Sequence, residues 1–332
     1  MKHSLKAILS LSLALICLLT ALPLSALGEE AAECPFSLFV YDLPKGIKKP
    51  NEQAGSVHEE HYTTYVYDEA GNPGEAVEAT VYVYTPYGYD PARQYDAFYL
   101  MHGGGEQVGF WFGAGDYAKG GPLYNKAQAT TAVNLIDNRI AAGECVEMIV
   151  VTPTFAVNGA ENFKYELRND LIPAVEARYS TFAGGDVSPE SLRASRDHRA
   201  FAGFSMGSMT TIFSAWDGCF DYFAYIGNLS GMDPYDVGIV ESILAKMGEG
   251  GVYEGLKMKY WYNGNGTEDT AEPDHLRNYA KMLELGGNIW QEGEHYEQGD
   301  NCVMVDKPGK KHNHANWMVD LYNMLSVFFK AN

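Results

Sequence analysis

The chain has 332 residues, 46 % of them hydrophobic, and carries 43 acidic against 24 basic residues for a formal charge of −19. That is enough apolar material for one large core, and too much for a disordered chain. So acidic a surface disfavours nucleic acid and anionic lipid as partners and leaves an uncharged polysaccharide open.

The first segment has the pattern of an export signal. Lys2 and Lys6 precede a charge-free run from Ala7 to Leu22, followed by Pro23 and the small-residue site Ala26-Leu27-Gly28. The run is short for a membrane span, which needs about 20 apolar residues. Cleavage near Gly28 gives a secreted, extracellular protein; an uncleaved anchor is the alternative. Cys17 is no lipid-attachment site, because bulky Ile16 precedes it. Removing residues 1–28 takes away two lysines and no acid, so the charge becomes −21. Cys34, Cys145, Cys219 and Cys302 remain, an even number that permits a disulfide in an exported protein, with no spacing that selects a pairing. No C-x-x-C points to a metal, and no cofactor is expected.

Residues 29–55 read as an N-terminal extension with little pattern, and 56–332 as a single catalytic domain without repeat or linker. Val57 to Tyr67 and Ala76 to Thr85 flank Ala70-Gly71-Asn72-Pro73-Gly74 and form an expected antiparallel hairpin. His58 and His61 sit on its first strand, where an odd offset turns them to opposite faces and excludes a metal pair. Further strands are expected around Phe98, Ile149, Phe201, Tyr225, Tyr260 and Val303, alternating with helices such as Glu166 to Tyr179, Pro273 to Leu285 and Trp317 to Lys330. That alternation predicts an α/β fold, a mainly parallel central sheet with helices on both faces.

Four segments carry chemistry. After the strand Ala97 to Met101 comes His102-Gly103-Gly104-Gly105, whose glycines can turn backbone N–H groups toward a developing negative oxygen. His102 is expected to bond the loop rather than act as a base. Phe110-Trp111-Phe112 follows, and Phe110 and Trp111 are candidate walls of a substrate pocket, with buried core as the competing reading.

Gly203-Phe204-Ser205-Met206-Gly207 lies between an apolar run and a helix-compatible stretch, Ser208 to Trp216. In that context G-x-S-x-G forms a nucleophile elbow, and it points to a serine hydrolase. Chance alone would give roughly 0.2 such matches in a chain this rich in glycine, so the motif needs partners. The N–H of Met206 is one oxyanion donor; Gly103 or Gly104 supplies another.

The acid is expected after a strand over Lys257 to Tyr262, in the glycine-rich turn Asn263 to Asp269. Asp269 is the choice and Glu268 the runner-up. The base must follow in sequence, which leaves His275, His295, His312 and His314. His312, after Lys307-Pro308-Gly309 and before an amphipathic helix, is best placed, with His314 its rival.

Together these segments resemble the esterase D-like α/β-hydrolases, which include bacterial feruloyl and acetylxylan esterases. Arg199 to Gly207 resembles that family's nucleophile segment, Gly266-Thr267-Glu268-Asp269 its acid loop, Pro308 to His312 its histidine loop and Met101 to Gly105 its oxyanion loop. Lys310-Lys311 departs from the pattern. The resemblance implies a secreted serine esterase that uses an acyl-enzyme to remove feruloyl or acetyl groups from plant polysaccharide, with no stable membrane partner. A catalytically silent carbohydrate-binding protein and an acyltransferase with the same triad are the alternatives.

Overall fold

The computed structural model describes residues 37–232 and 238–330. The expected signal segment, Cys17 and Cys34 lie outside the described residues. Contacts divide the chain between Ser37 and Leu38, and the second unit, from Leu38 on, holds the strands and helices that follow. Within it, part of the stretch expected as an N-terminal extension packs on the rest. Phe39 is buried with its ring edge-on to Tyr262, 5.6 Å away, Asn323 brackets Val40 with two hydrogen bonds, and Asn138 donates to the carbonyls of Ile47 and Lys49.

One eight-stranded sheet runs in the order β1-β2-β4-β3-β5-β6-β7-β8. The hairpin β1 (Ser56–Tyr67) and β2 (Pro73–Thr85) is antiparallel, with Tyr67 opposite Pro73, and β2 joins β4 (Met148–Thr152) antiparallel. From β4 through β3 (Asp96–Met101), β5 (Arg199–Phe204), β6 (Tyr225–Leu229), β7 (Tyr260–Gly266) and β8 (Cys302–Lys307), all pairing is parallel. Parallel strands covered on both sides should read as continuous apolar runs, and β3 to β6 are buried at every position.

Alternation along each strand assigns the two faces. Phe98, Leu100, Ala200, Ala202 and Phe204 share a core with α1 (Thr131–Ala141) and α8 (His314–Met324). Tyr99, Met101 and Phe201 turn the other way, onto the helical stretch made of α2 (Gly159–Glu166), a π-helical turn and α3 (Ile172–Glu176). On that face α4 (Pro189–Ala194) adds Leu192, and α6 (Ile239–Met247) and α7 (Glu272–Gly286) pack near Trp261. Cys145, Cys219 and Cys302 are free, buried thiols, one in each of three separate core clusters, so none of these three forms the disulfide their number permitted. Among the described residues no helix is long and apolar enough to cross a membrane.

Two boundaries differ from expectation. β7 continues through Asn263 to Gly266 instead of turning there, because those glycines serve close approach: a Cβ on Gly264 would strike the Asp320 carboxylate, and one on Gly266 the Lys310 backbone. α8 begins at His314, where the Asn313 side chain accepts from the Asn316 N–H and caps it. It ends at Met324, and Phe329, at φ 63°, lies beyond it in a left-handed conformation.

Candidate active site

The expected serine, acid, base and oxyanion loop all follow strands at the carboxyl edge of the sheet. Ser205 follows β5 and caps α5 (Met206–Thr210), the short helix that continues as a π-helical turn to Trp216. Its φ of 54° and ψ of −121° are strained for a residue with a side chain, as a nucleophile elbow requires. The flanking glycines have a steric reason to be there. A Cβ on Gly203 would meet the Gly207 carbonyl, and one on Gly207 the His102 carbonyl. The Ser205 N–H is tied to the Leu229 carbonyl at the end of β6, 2.9 Å away.

Met206 is the first residue of α5, so its N–H has no intrahelical acceptor. Gly104 lies beside it, since a Cβ built there would be 3.5 Å from the Met206 Cβ. The loop before them is pinned by His102, whose Nδ1 donates to the Gly103 carbonyl at 2.8 Å while Nε2 faces the Thr154 hydroxyl at 2.9 Å. Burial lowers the His102 pKa, so the ring is neutral with its proton on Nδ1. His102 is therefore a loop anchor, as expected.

Asp269, just past β7, and His312, past β8, meet through a 2.8 Å bond between Oδ1 and Nδ1. An ionised carboxylate only accepts, so Nδ1 carries the proton and Nε2 is left as the basic nitrogen. Burial pushes the Asp269 carboxyl up, but His312, the Ser230 hydroxyl and the Ala271 N–H outweigh it and hold the group below the usual carboxylate range. Ser230 approaches this carboxylate, although no well-formed bond reaches Oδ2 from the described residues.

The rivals have other employment. Glu268 is exposed and pairs with Lys311 at 3.3 Å. Lys310 pairs with Asp42, so the two lysines that depart from the family pattern both have acidic partners flanking the histidine loop. His275 is fully buried. It accepts from the Gly231 N–H through Nδ1 and faces Asn263 through Nε2, and burial drives its pKa down to about 3. His314 lies in the first turn of α8 with its ring edge-on to Phe110, and burial lowers its pKa to about 4. His295 is bound to Glu297 in a turn before β8. His58 and His61 bond separately to Thr85 and Thr80, and among the described residues no cluster suited to a metal occurs.

Trp111 lies in the core, and Phe110 reaches only the edge of a small pocket lined with Gly113, Tyr117, Asn125 and Gln128. Trp111 is 1 % exposed and Phe110 6 %, and both rings pack on Phe204, the residue before the serine. Their apolar bulk is used to buttress the elbow from inside the core.

Two residues were missed in the sequence. Trp317 on α8 stacks on Phe204 at 3.7 Å and stands edge-on to the His312 ring at 5.4 Å, so one indole links the nucleophile's strand to the base. Its Nε1–H donates to the Ser230 hydroxyl at 2.8 Å. Ser230, at φ 50°, is the first residue beyond β6 and the second strained serine of this edge. A serine before glycine at a strand's carboxyl end was the available signal.

The fold and the elbow define an α/β-hydrolase of the serine type. The chain matches the Esterase family model, described as "Putative esterase", over residues 76–321, and it belongs to that family. It is 39 % identical over 211 residues to endo-1,4-beta-xylanase Y of Acetivibrio thermocellus, covering 60 % of this chain and 17 % of that protein. It is 31 % identical over 147 residues to the endo-1,4-beta-xylanase/feruloyl esterase of Xylanibacter ruminicola, covering 40 % and 17 %. These matches span about a sixth of the relatives' length.

Among solved structures, a serine-to-alanine mutant of the feruloyl esterase module from Clostridium thermocellum, complexed with sinapinate, superposes with a TM-score of 0.73 at 32 % identity. The match covers 87 % of this chain and 93 % of that one. A ferulic acid esterase from the anaerobic fungus Anaeromyces mucronatus shares the fold at 17 % identity, with a TM-score of 0.64 and coverage of 89 % and 99 %. Family and structural likeness both lead to esterases.

Proposed function

We propose that the chain is a secreted esterase that frees feruloyl or acetyl groups from plant cell-wall polysaccharide through an acyl-enzyme on Ser205. The observation that carries the reading is the 2.8 Å bond from His312 to a buried Asp269, on loops at the same sheet edge as the strained Ser205. Nε2 of His312 takes the serine proton as Oγ adds to the ester carbonyl. The N–H groups of Met206 and of Gly103 or Gly104 receive the oxyanion, a contribution of about 3 to 4 kcal/mol per donor. As the tetrahedral intermediate collapses, His312 returns the proton to the departing sugar oxygen. Water, deprotonated by the same nitrogen, then cleaves the acyl-serine and releases the acid.

The choice of acyl group and polymer is supported by one relative whose name joins xylanase to feruloyl esterase and by a feruloyl esterase module whose structure holds sinapinate. The export-signal pattern of residues 1–28 supports secretion, and a body from Leu38 onward supports one catalytic domain. The test compares the chain with its Ser205→Ala variant on feruloylated, acetylated arabinoxylan, measuring free ferulate and acetate. Serine-dependent release of either acid is expected. Cleavage of simple aryl esters only would remove the polysaccharide assignment, and no turnover at all would leave a silent binding protein.

A further inference from the structure

The amino edge of the sheet, opposite Ser205, holds a hollow of about 590 Å³ that the chemistry above does not use. Its walls come from segments that lead into strands: Arg193 of α4 and Arg196 before β5, Asp221 before β6, and Val252 and Leu256 before β7. Arg168, from the π-helical turn between α2 and α3, completes it. β5 has six residues, so the length of that strand, about 20 Å, separates the hollow from the serine.

Three guanidiniums thus line one hollow in a chain whose formal charge is −19. Arg196 is buried and committed to the protein, donating to the carbonyls of Phe220, Phe223 and Lys257. Arg168 and Arg193 share a single carboxylate. Arg168 grips Asp221 with both terminal nitrogens, and Arg193 reaches it through Nε at 2.8 Å. Nη1 and Nη2 of Arg193 bond nothing among the described residues, on a side chain that is 50 % exposed. The same two arginines also line a neighbouring hollow of about 380 Å³. Arg168 is fixed in place, its guanidinium over the Tyr222 ring at 4.3 Å and donating to the Gly218 carbonyl at 3.0 Å. The remaining acid of the lining, Glu254, accepts from the Gly250 N–H at 3.1 Å, and beside it Val252 is 78 % exposed.

A guanidinium with free terminal N–H groups takes a carboxylate through paired hydrogen bonds. The charge of the whole chain repels anions, so they are admitted only where positive charge is locally in excess. The hollow has the volume of a small-molecule site, and Val252 and Leu256 offer apolar contact for the carbon face of a ring. We propose that it is a second, non-catalytic binding site for a carboxylate on a sugar ring, a uronic-acid residue of the polysaccharide whose esters the triad cleaves. Arg193 supplies the free donors and Arg168 the fixed charge. The inference rests on the polysaccharide reading: a polymer held here presents its esters to Ser205 at a raised local concentration.

The test uses the full chain with Ser205→Ala, which leaves the polymer intact. Native gels are cast with a xylan bearing glucuronic-acid side groups, or with the same xylan after its carboxyls are reduced to alcohols. The uronate-bearing xylan should retard the chain, with an apparent Kd that rises about fivefold or more when Arg193→Gln is added. The reduced polymer should retard both chains alike. Equal retardation of the chain by the two polymers, or retardation that Arg193→Gln leaves unchanged, would overturn the proposal. Calorimetry with free glucuronate and free ferulate separates the sources of the carboxylate; a free acid that binds through Arg193 while the polymer does not would also overturn it. With Ser205 intact, Arg193→Gln should cleave methyl ferulate at the wild-type kcat/KM, and a loss there matching the loss of retardation would make Arg193 a support of the fold instead of a site. Failure of the wild type on every ester is a different result, because gel binding needs no turnover, and it removes the esterase reading alone.

Discussion

On one side of Ser205, Asp269 and His312, the proposed acid and base, stand on loops just past strand ends and are held by buried side chains: Ser230, Trp317, and behind them His275 and Asn263. On the other side the oxyanion loop stands on glycines and its own backbone, with Gly104 and Gly105 exposed and a single buried anchor in His102. The difference follows from what each side must do. Proton transfer needs an imidazole fixed in tautomer and direction, which side-chain packing supplies. Oxyanion binding needs N–H groups with nothing in front of them, which only small residues allow. A loop free of large side chains also leaves room for substrate, so specificity is expected on this side and chemical timing on the other.

The largest expected effect breaks the rigid side. Asp269→Asn keeps the shape but can present an amide N–H to Nδ1, which shifts the imidazole proton to Nε2, and kcat should fall about 10⁴-fold, as such a substitution does in a serine triad; a loss under tenfold in steady-state rates would mean that Asp269 does not orient the base.

Acid should weaken both sides together. His275 and His314 are buried neutral, with pKa values lowered to about 3 and about 4, so the fold disfavours their protonated forms. Unfolded histidine titrates near 6.5, so stability is fully present above that pH and falls as pH drops below it toward the folded values. Going from pH 7 to pH 5 should cost about 2 kcal/mol for each ring, read from denaturant midpoints, and His275→Asn should remove one ring's share of that slope. A midpoint that does not move over this range would contradict the burial of these rings.

The smallest effect sharpens the comparison. Ser230→Ala removes the hydroxyl that accepts from Trp317 and approaches Asp269, and kcat should drop about tenfold. Ser230 helps hold the Asp269 pKa down, so its loss should move the titration of that carboxyl to higher pH. A lower rate with an unmoved carboxyl titration would make Ser230 a packing residue only.

Much of this was legible because it is steric. G-x-S-x-G has its spacing because Gly203 and Gly207 meet backbone carbonyls, and the loops that bring Asp269 to His312 were legible from chain order and their turn residues. Less legible was anything set by two elements at once. Asn263 to Gly266 has the composition of a turn, yet it is buried strand because Asp320 and Lys310 need the space that its glycines leave. Phe110 and Trp111 have the composition of a pocket wall, yet Phe204 takes their faces. Ser230 carries no motif, and its role depends on Trp317, 87 positions away in the sequence.

The most direct test of the account is to mix the chain with a feruloyl ester, quench in acid within the first turnover, and map the added mass by peptide mass spectrometry. The account predicts a feruloyl adduct on the peptide containing Ser205, absent from Ser205→Ala. Turnover with the adduct on another residue, or with turnover surviving in Ser205→Ala, would contradict it.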